Sequence, residues 1–207
     1  KVIATAPAIA LLIEQGKLGL DDRVEKWIPD FKKNGKGAVT IRHLLTHTSG
    51  LRPGLSLRPE WSGVASAIEK AKAESLTEQP DNKFIYSDIN FILLGEIVRL
   101  VSGERLDLFV SKNIFQPLGM NDTGFLPPLA KRSRVAPTEQ VGEVILHGEV
   151  HDPTARRMGG VAGHAGLFTT AADLGRFANM MLNDGSLDGR RVFKKETVNW
   201  MTASHTK

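Results

Sequence analysis

Residues 84–101 read FIYSDINFILLGEIVRLV, and the interpretation of the rest of the chain depends on this stretch. Its large apolar side chains recur at helical spacing, at Phe91, Leu94, Ile97 and Val98. A helix that is apolar around most of its circumference is buried in the protein interior. The pattern therefore predicts a central core helix over residues 89–101, which ends at Ser102 and Gly103.

The residues that precede this helix carry chemically active groups. Tyr86, Ser87 and Asp88 place a phenol, a hydroxyl and a carboxylate together where a turn enters the helix. One interpretation is a helix cap, in which Ser87 or Asp88 accepts from the first backbone N–H groups while Tyr86 packs. The other is a proton relay, and it requires a cation near the phenol, such as a desolvated lysine.

The rest of the chain is predominantly helical. Apolar periodicity, threonine caps and glycine stops predict further helices near residues 1–15, 40–45, 61–74, 106–114, 171–182 and 194–201. Residues 121–160 contain prolines, glycines and short alternating runs, which indicate a hairpin or extended loops. We therefore predict a helix-rich α+β protein, because no set of strands suggests a complete parallel sheet.

Composition excludes several classes of protein. The chain has 207 residues, of which 41% are hydrophobic, and this suffices for one domain with a core. Its net charge of +4 is spread along the sequence, so we predict a solvated surface and no nucleic-acid partner. There is no cysteine, which excludes a thiol nucleophile and a disulfide scaffold. No apolar run reaches the roughly 18 residues of a membrane span.

Two local patterns suggest ligands but lack essential parts. His43 and His47 lie four apart on a predicted helix, which is metal-ligand spacing, but neither an adjacent glutamate nor a third ligand accompanies them. We therefore predict no metal and no cofactor. Residues 159–166 are glycine-rich without the Gly-Lys-Ser/Thr ending of a phosphate loop, so we expect the glycines to let the backbone approach either a packed helix or a ligand closely. His164 within them is either a site residue or is hydrogen-bonded to loop carbonyls.

Several segments in fixed order carry a family resemblance. They are TIRHLLTHTSGL at 40–51, YSD at 86–88 followed by ILLGEI at 92–97, PLGM at 117–120, and residues 160–174. This set resembles the serine β-lactamase and penicillin-binding-protein superfamily, and most closely its class C-like branch of esterases, D-aminopeptidases and β-lactamase-related hydrolases. The resemblance implies a β-lactamase/DD-peptidase-like fold in which residues 1–207 form a single domain, truncated at both ends. Most of the antiparallel sheet would be missing.

The resemblance also implies site residues. In this family a Ser-x-x-Lys motif opens the first core helix, with the nucleophile at the positive helix end. Lys1 falls on the motif lysine, and the serine would lie three residues upstream. Tyr86 matches the catalytic tyrosine of the Tyr-x-Asn motif. Asp88 stands where asparagine is usual, so it would face the substrate and is placed to pair with Lys1.

The third family motif, Lys/His-Thr/Ser-Gly on a strand, is imitated by His-Ala-Gly at 164–166. This triplet follows Tyr86 too closely and precedes a capped helix instead of a strand. We therefore expect the real motif beyond Lys207, and His164 remains a candidate substrate-binding residue.

The predicted function is that of a serine hydrolase fragment whose intact form makes an acyl-enzyme with an ester, a β-lactam or a D-amino-acid peptide. Neither Ser49 nor Ser87 occupies the nucleophile position, so the chain as given is expected to form no acyl-enzyme. The alternative is a non-catalytic helical remnant or interaction module, which self-associates through the face that the sheet would cover. Periplasmic and cytoplasmic locations are both compatible with the sequence.

Overall fold

The computed structural model describes residues 1–205, and most of their regular structure is helical. The α-helices are α1 (Thr5–Glu14), α2 (Ile41–Leu45), α3 (Val64–Ala73), α4 (Asp88–Ser102), α5 (Leu106–Val110), α6 (Leu129–Arg132), α7 (Pro153–Arg157), α8 (Ala171–Leu182) and α9 (Lys195–Thr202). Among these helices, none combines the length and the apolarity needed to cross a membrane.

Short antiparallel strand pairs accompany the helices. The strands are β1 (Gly124–Phe125), β2 (Gln140–Val141), β3 (Val144–Ile145), β4 (Leu167–Phe168), β5 (Ser186–Leu187) and β6 (Arg190–Arg191). They pair as β1 with β4, β2 with β3 and β5 with β6. The predicted helix-rich α+β class is confirmed, and the hairpin expected within residues 121–160 is β2–β3.

Helix α4 is the centre of the fold, as its apolar pattern predicts. Its side chains are buried along most of its length, and α1, α2, α3 and α5 pack around it. Gly103 ends the helix in the left-handed region, with φ +76°. The predicted helix over 106–114 differs slightly, because α5 ends at Val110 and a π-helical turn covers Ser111–Phe115.

Two helix starts follow the expected capping chemistry. Thr40 accepts from the backbone N–H of His43, while the Thr40 N–H donates to His43 Nδ1, so the two residues form a reciprocal cap of α2. Thr170 accepts from the N–H of Asp173 and fixes the start of α8 at the predicted residue.

The glycine-rich segment packs against the central helix, as the close-approach interpretation predicts. A Cβ added at Gly163 would lie 1.8 Å from the carbonyl oxygen of Phe91, so only glycine fits. Thr5 Oγ1 donates to the Gly163 carbonyl at 2.6 Å and ties the segment to α1. One detail of the sequence prediction is wrong, because the two-residue strand β4 separates Gly166 from α8.

Lys36 is a buried cation in the loop before α2. Its Nζ donates to the carbonyl oxygens of Lys33 at 2.8 Å and Lys72 at 3.0 Å, and also to that of Glu74. Two of these carbonyls belong to the C-terminal end of α3, where a positive charge complements the helix dipole. Lys36 therefore joins the loop before α2 to α3.

Candidate active site

The starts of α1 and α4 meet at Lys1, which lies just before α1. Lys1 Nζ donates to Tyr86 Oη at 2.6 Å and to Asp88 Oδ1 at 2.5 Å, although these partners are 85 and 87 positions away in sequence. The ammonium also lies 4.2 Å from the centre of the Tyr86 ring. Folding thus brings together the three residues that the family motifs single out.

The turn before α4 is fixed by bonds to other segments. Ser87 Oγ donates to the Arg52 carbonyl at 2.6 Å, and the Asp88 N–H donates to the Pro53 carbonyl at 2.6 Å. Ser87 is therefore the N-cap residue by position, but its side chain does not cap the helix. The Tyr86 phenol, which is 55% exposed, is left available for contact with Lys1.

A buried histidine lies behind Tyr86. His47 Nδ1 accepts from the Ser87 N–H at 3.0 Å, and its ring stacks against Tyr86 with 4.6 Å between the centres. Burial, reinforced by the nearby charge of Lys1, lowers the pKa of His47 to about 4. His47 is thus neutral at physiological pH, and the Tyr86 ring packs against it. His47 has a left-handed backbone conformation, with φ +60°. The sequence does not indicate this conformation at a histidine, so it does not indicate the contact with Tyr86 either.

His43 and His47, which have metal-ligand spacing in the sequence, do not lie on one helix in the structure. Helix α2 ends at Leu45, so His47 does not share a helix face with His43. His43 Nε2 instead lies 3.0 Å from Asp81 Oδ2, whereas His47 Nδ1 accepts from the Ser87 N–H. The shared helix face on which this metal-ligand spacing depends is therefore absent at His43 and His47.

Lys1 carries a stabilised positive charge. Burial alone lowers the pKa of its ammonium, but the hydrogen bonds to Asp88 and Tyr86 outweigh that effect and raise the pKa above its ordinary value. Asparagine at position 88 would supply no such counter-charge. The aspartate therefore holds Lys1 in its protonated form in the resting molecule.

His164 lies in the same region, together with a residue that the site prediction missed. His164 Nε2 contacts Asp152 Oδ1 at 2.8 Å, and Asp152 also accepts from the Ala155 N–H at 2.7 Å and caps α7. Burial alone raises the pKa of Asp152, but the bonds from His164 and Ala155 outweigh it and lower the pKa below its usual value. In the sequence, Asp152 before Pro153 signals only a helix start.

A groove of about 930 Å³ opens beside these residues. Lys1, His47, Tyr86 and His164 form part of its wall, and the remainder is mostly apolar. The apolar side chains come largely from the regions of α1, α8 and α9, including Ile3, Ala6, Leu174, Phe177, Met181 and Trp200. The candidate site therefore borders a largely apolar groove.

The fold and this arrangement define the class of protein to which the chain belongs. A family model described as Beta-lactamase matches residues 1–206. The chain is accordingly a member of the β-lactamase and penicillin-binding-protein superfamily, within its β-lactamase/DD-carboxypeptidase-like serine hydrolases.

Individual relatives agree with this assignment. A protein of Escherichia coli (strain K12) with the provisional name D-alanyl-D-alanine carboxypeptidase is 37% identical over 235 residues, covering 99% of this chain and 54% of the relative. The N-acetylmuramyl-L-alanine amidase of Bacillus subtilis (strain 168) is 34% identical, covering 98% of this chain and 53% of its own length. A crystal structure from Bacteroides dorei DSM 17855, provisionally named β-lactamase, is 28% identical with a TM-score of 0.75, and the match covers 99% of this chain and 54% of that one. The chain thus spans about half the length of its curated relatives.

Proposed function

We propose that residues 1–207 are one domain from the central part of a serine hydrolase, with Lys1 and Tyr86 as its acid–base pair. The intact enzyme transfers an acyl group from an ester, a β-lactam or a D-amino-acid peptide through a covalent seryl ester. The observation that carries this proposal is the 2.6 Å contact between Lys1 Nζ and Tyr86 Oη.

The acid–base roles follow from the chemistry of the two groups. In its neutral form, Lys1 takes the proton of the serine located three residues upstream, and the serine oxygen attacks the acyl carbon. Tyr86 protonates the leaving group as the seryl ester forms and later accepts a proton from the hydrolytic water. Backbone N–H groups at the oxyanion contribute roughly 3–4 kcal/mol each, and the family supplies them from the serine and from the strand with the third motif.

Asp88 and His164 are proposed to contact the substrate. Asp88 presents a carboxylate where the family's asparagine presents an amide, so it accepts hydrogen bonds from the substrate and donates none. His164 lines the groove beside Lys1, and its buried imidazole is held by Asp152.

The two serines within the family-like segments, Ser49 and Ser87, are engaged elsewhere, which supports an upstream nucleophile. Ser49 Oγ is buried and donates to Asn90 Oδ1 at 2.7 Å. Ser87 Oγ is buried and donates to the Arg52 carbonyl at 2.6 Å. Neither hydroxyl contacts Lys1 or Tyr86.

The test compares the 207-residue chain with a longer protein that includes the natural residues upstream of Lys1 and downstream of Lys207. We expect a fluorescent penicillin or a fluorophosphonate probe to label the longer protein at the serine three residues before Lys1, and to leave the 207-residue chain unlabelled. Peptide mapping identifies the labelled serine. Labelling of Ser49 or Ser87, or of a longer protein carrying alanine at the upstream serine, contradicts the proposal.

The groove supports a second candidate, a non-catalytic module that self-associates through its apolar face. Trp200, Met181 and Phe177 contribute to a surface whose burial would favour association. Light scattering on the 207-residue chain should then show an oligomer that Met181→Asp returns to monomer. A monomer that binds no hydrophobic dye contradicts this candidate.

A further inference from the structure

Three polar side chains beside Lys1 lie outside the proposed acid–base pair. Asp88, Asp152 and His164 each offer one oxygen or ring nitrogen, and these three atoms all lie within 4.8 Å of one another. We propose that the three side chains form a binding site for one divalent transition-metal ion, with Zn²⁺ as the best match. This proposal does not rest on acyl transfer.

His164 has one ring nitrogen in the cluster and one outside it: Nε2 lies beside Asp152, and Nδ1 is on the opposite edge of the ring. The His164 side chain is only 1% exposed, and its Nδ1 has no hydrogen-bond partner within the described residues. A buried polar atom without a partner costs free energy, and most such atoms in native proteins are satisfied. Nδ1 can therefore carry the single proton of a neutral imidazole, which leaves the lone pair of Nε2 for an ion beside the two carboxylates.

The donor set selects the kind of ion. One imidazole nitrogen with two carboxylate oxygens suits Zn²⁺ and similar ions, whereas Mg²⁺ and Ca²⁺ prefer six or more oxygen ligands. Three protein ligands leave a fourth position for water. As an ion binds Nε2, the proton that this nitrogen shares with Asp152 Oδ1 moves to Nδ1, so the imidazole ligand stays neutral.

Lys1 is the resting counter-ion of this site. Its ammonium contacts Asp88 through Oδ1, so a metal ion and Lys1 compete for the same carboxylate. The other two ligands are independent of Lys1, because Asp152 contacts His164 and the start of α7. Metal binding consequently weakens the ion pair between Asp88 and Lys1.

The surrounding backbone is rigid enough to keep the ligands together. Asp152 is fixed by its cap to Ala155, and the loop before His164 is fixed by the contacts of Gly163 with Thr5 and Phe91. Ligands held in advance by packing and hydrogen bonds bind more tightly than ligands on mobile loops. The sequence prediction of no metal considered only His43 and His47, and a site built from residues 88, 152 and 164 leaves no motif to read.

The test uses the tag-free 207-residue chain after treatment with a chelator. Titration with Zn²⁺ against a chromogenic chelator should show one ion bound per chain, and Co²⁺ should give the visible absorption bands of a four-coordinate site. His164→Gln and Asp152→Asn should each weaken Zn²⁺ binding more than about 100-fold, beyond the effect of losing a residue that only orients a ligand. Asn at 152 retains the cap of α7, so this variant folds normally.

His151→Gln is the matched control, because His151 is exposed and lies outside the cluster. It should bind Zn²⁺ like the parent chain, and thermal melts verify that every variant is folded. Absence of Zn²⁺ and Co²⁺ binding by the folded parent overturns the proposal. Binding that survives both His164→Gln and Asp152→Asn also overturns it. Because no step measures acylation, failure here leaves the proposed serine hydrolase function intact.

Discussion

Lys1 and Lys36 are two ammonium groups withdrawn from solvent, and the molecule holds them in opposite ways. Lys36 donates to backbone carbonyl oxygens, whereas Lys1 donates to the Asp88 carboxylate and the Tyr86 hydroxyl. Desolvation lowers the pKa of Lys36, while the partners of Lys1 raise its pKa. Backbone carbonyls cannot move without disturbing the fold, but side-chain partners can be exchanged for a substrate. The comparison separates a lysine with a structural role from the lysine that we propose as the base.

The largest expected effect concerns catalysis by Lys1. In a longer protein that contains the upstream serine, Lys1→Met removes the proposed base and should slow acylation by about 10²–10⁴-fold. Lys36→Met is the control, and its folded fraction should acylate at the parent rate. Labelling with fluorescent penicillin at fixed times measures both rates. Equal rates for Lys1→Met and the parent protein would show that Lys1 is not the base.

The second prediction uses His47, whose pKa responds to the charge of Lys1. The folded pKa of about 4 lies below the ordinary value, so His47 stabilises the fold fully above pH 6.5 and loses this effect as the pH falls towards 4. The loss should reach about 3 kcal/mol. His47→Asn keeps an acceptor for the Ser87 N–H and tolerates the left-handed backbone. Between pH 6.5 and 4 the free energy of unfolding of this variant in urea should fall less steeply than the parent's, and a slope equal to the parent's would disprove the assignment.

The third prediction tests the structural role of Lys36. Lys36→Met leaves buried carbonyl oxygens without a donor and should lower the free energy of unfolding by about 2 kcal/mol. Lys33→Met is the matched control, because its exposed ammonium pairs with the exposed carboxylate of Asp30, and the change should stay within about 0.5 kcal/mol. Urea titrations at pH 7 compare the two. An equal effect of both substitutions would mean that the buried bonds contribute nothing.

The smallest expected effect comes from Asp88→Asn. Because Asp88 raises the pKa of Lys1, their pairing stabilises the fold below the unfolded pKa of lysine and is lost as the pH rises through the folded pKa. The variant should lose about 1 kcal/mol of unfolding free energy at pH 7, and the deficit should shrink at strongly alkaline pH. In the longer protein, acylation should reach its plateau at lower pH, because Lys1 becomes neutral sooner. A deficit that does not change with pH would exclude the ion pair as its cause.

Local signals in the sequence explain which parts of the fold were predictable. Helix α8 begins at the predicted residue because the Thr170 cap is a contact within four residues. The apolar periodicity of α4 similarly identified the core. The two-residue strands and the left-handed His47 depend on tertiary contacts, so propensity alone could not place them.

The candidate site likewise contains some residues that the sequence predicts and one that it does not. Lys1, Tyr86 and Asp88 were predictable from family motifs, and the structure places them in contact. The role of Asp152 was not, because an aspartate before a proline is first of all a helix cap. Its contact with His164 arises only when the glycine-rich segment packs on α4, and that approach depends on the absence of a side chain at Gly163.

Tyr86 is the one tyrosine of the chain, and it lies at the contact with Lys1. Any signal specific to a tyrosine ring therefore comes from the candidate site itself. A sample with isotope-labelled tyrosine gives one set of ring resonances, with no mutagenesis needed for assignment. The same resonances can report substrate binding, metal binding and the state of Lys1 in a single spectrum.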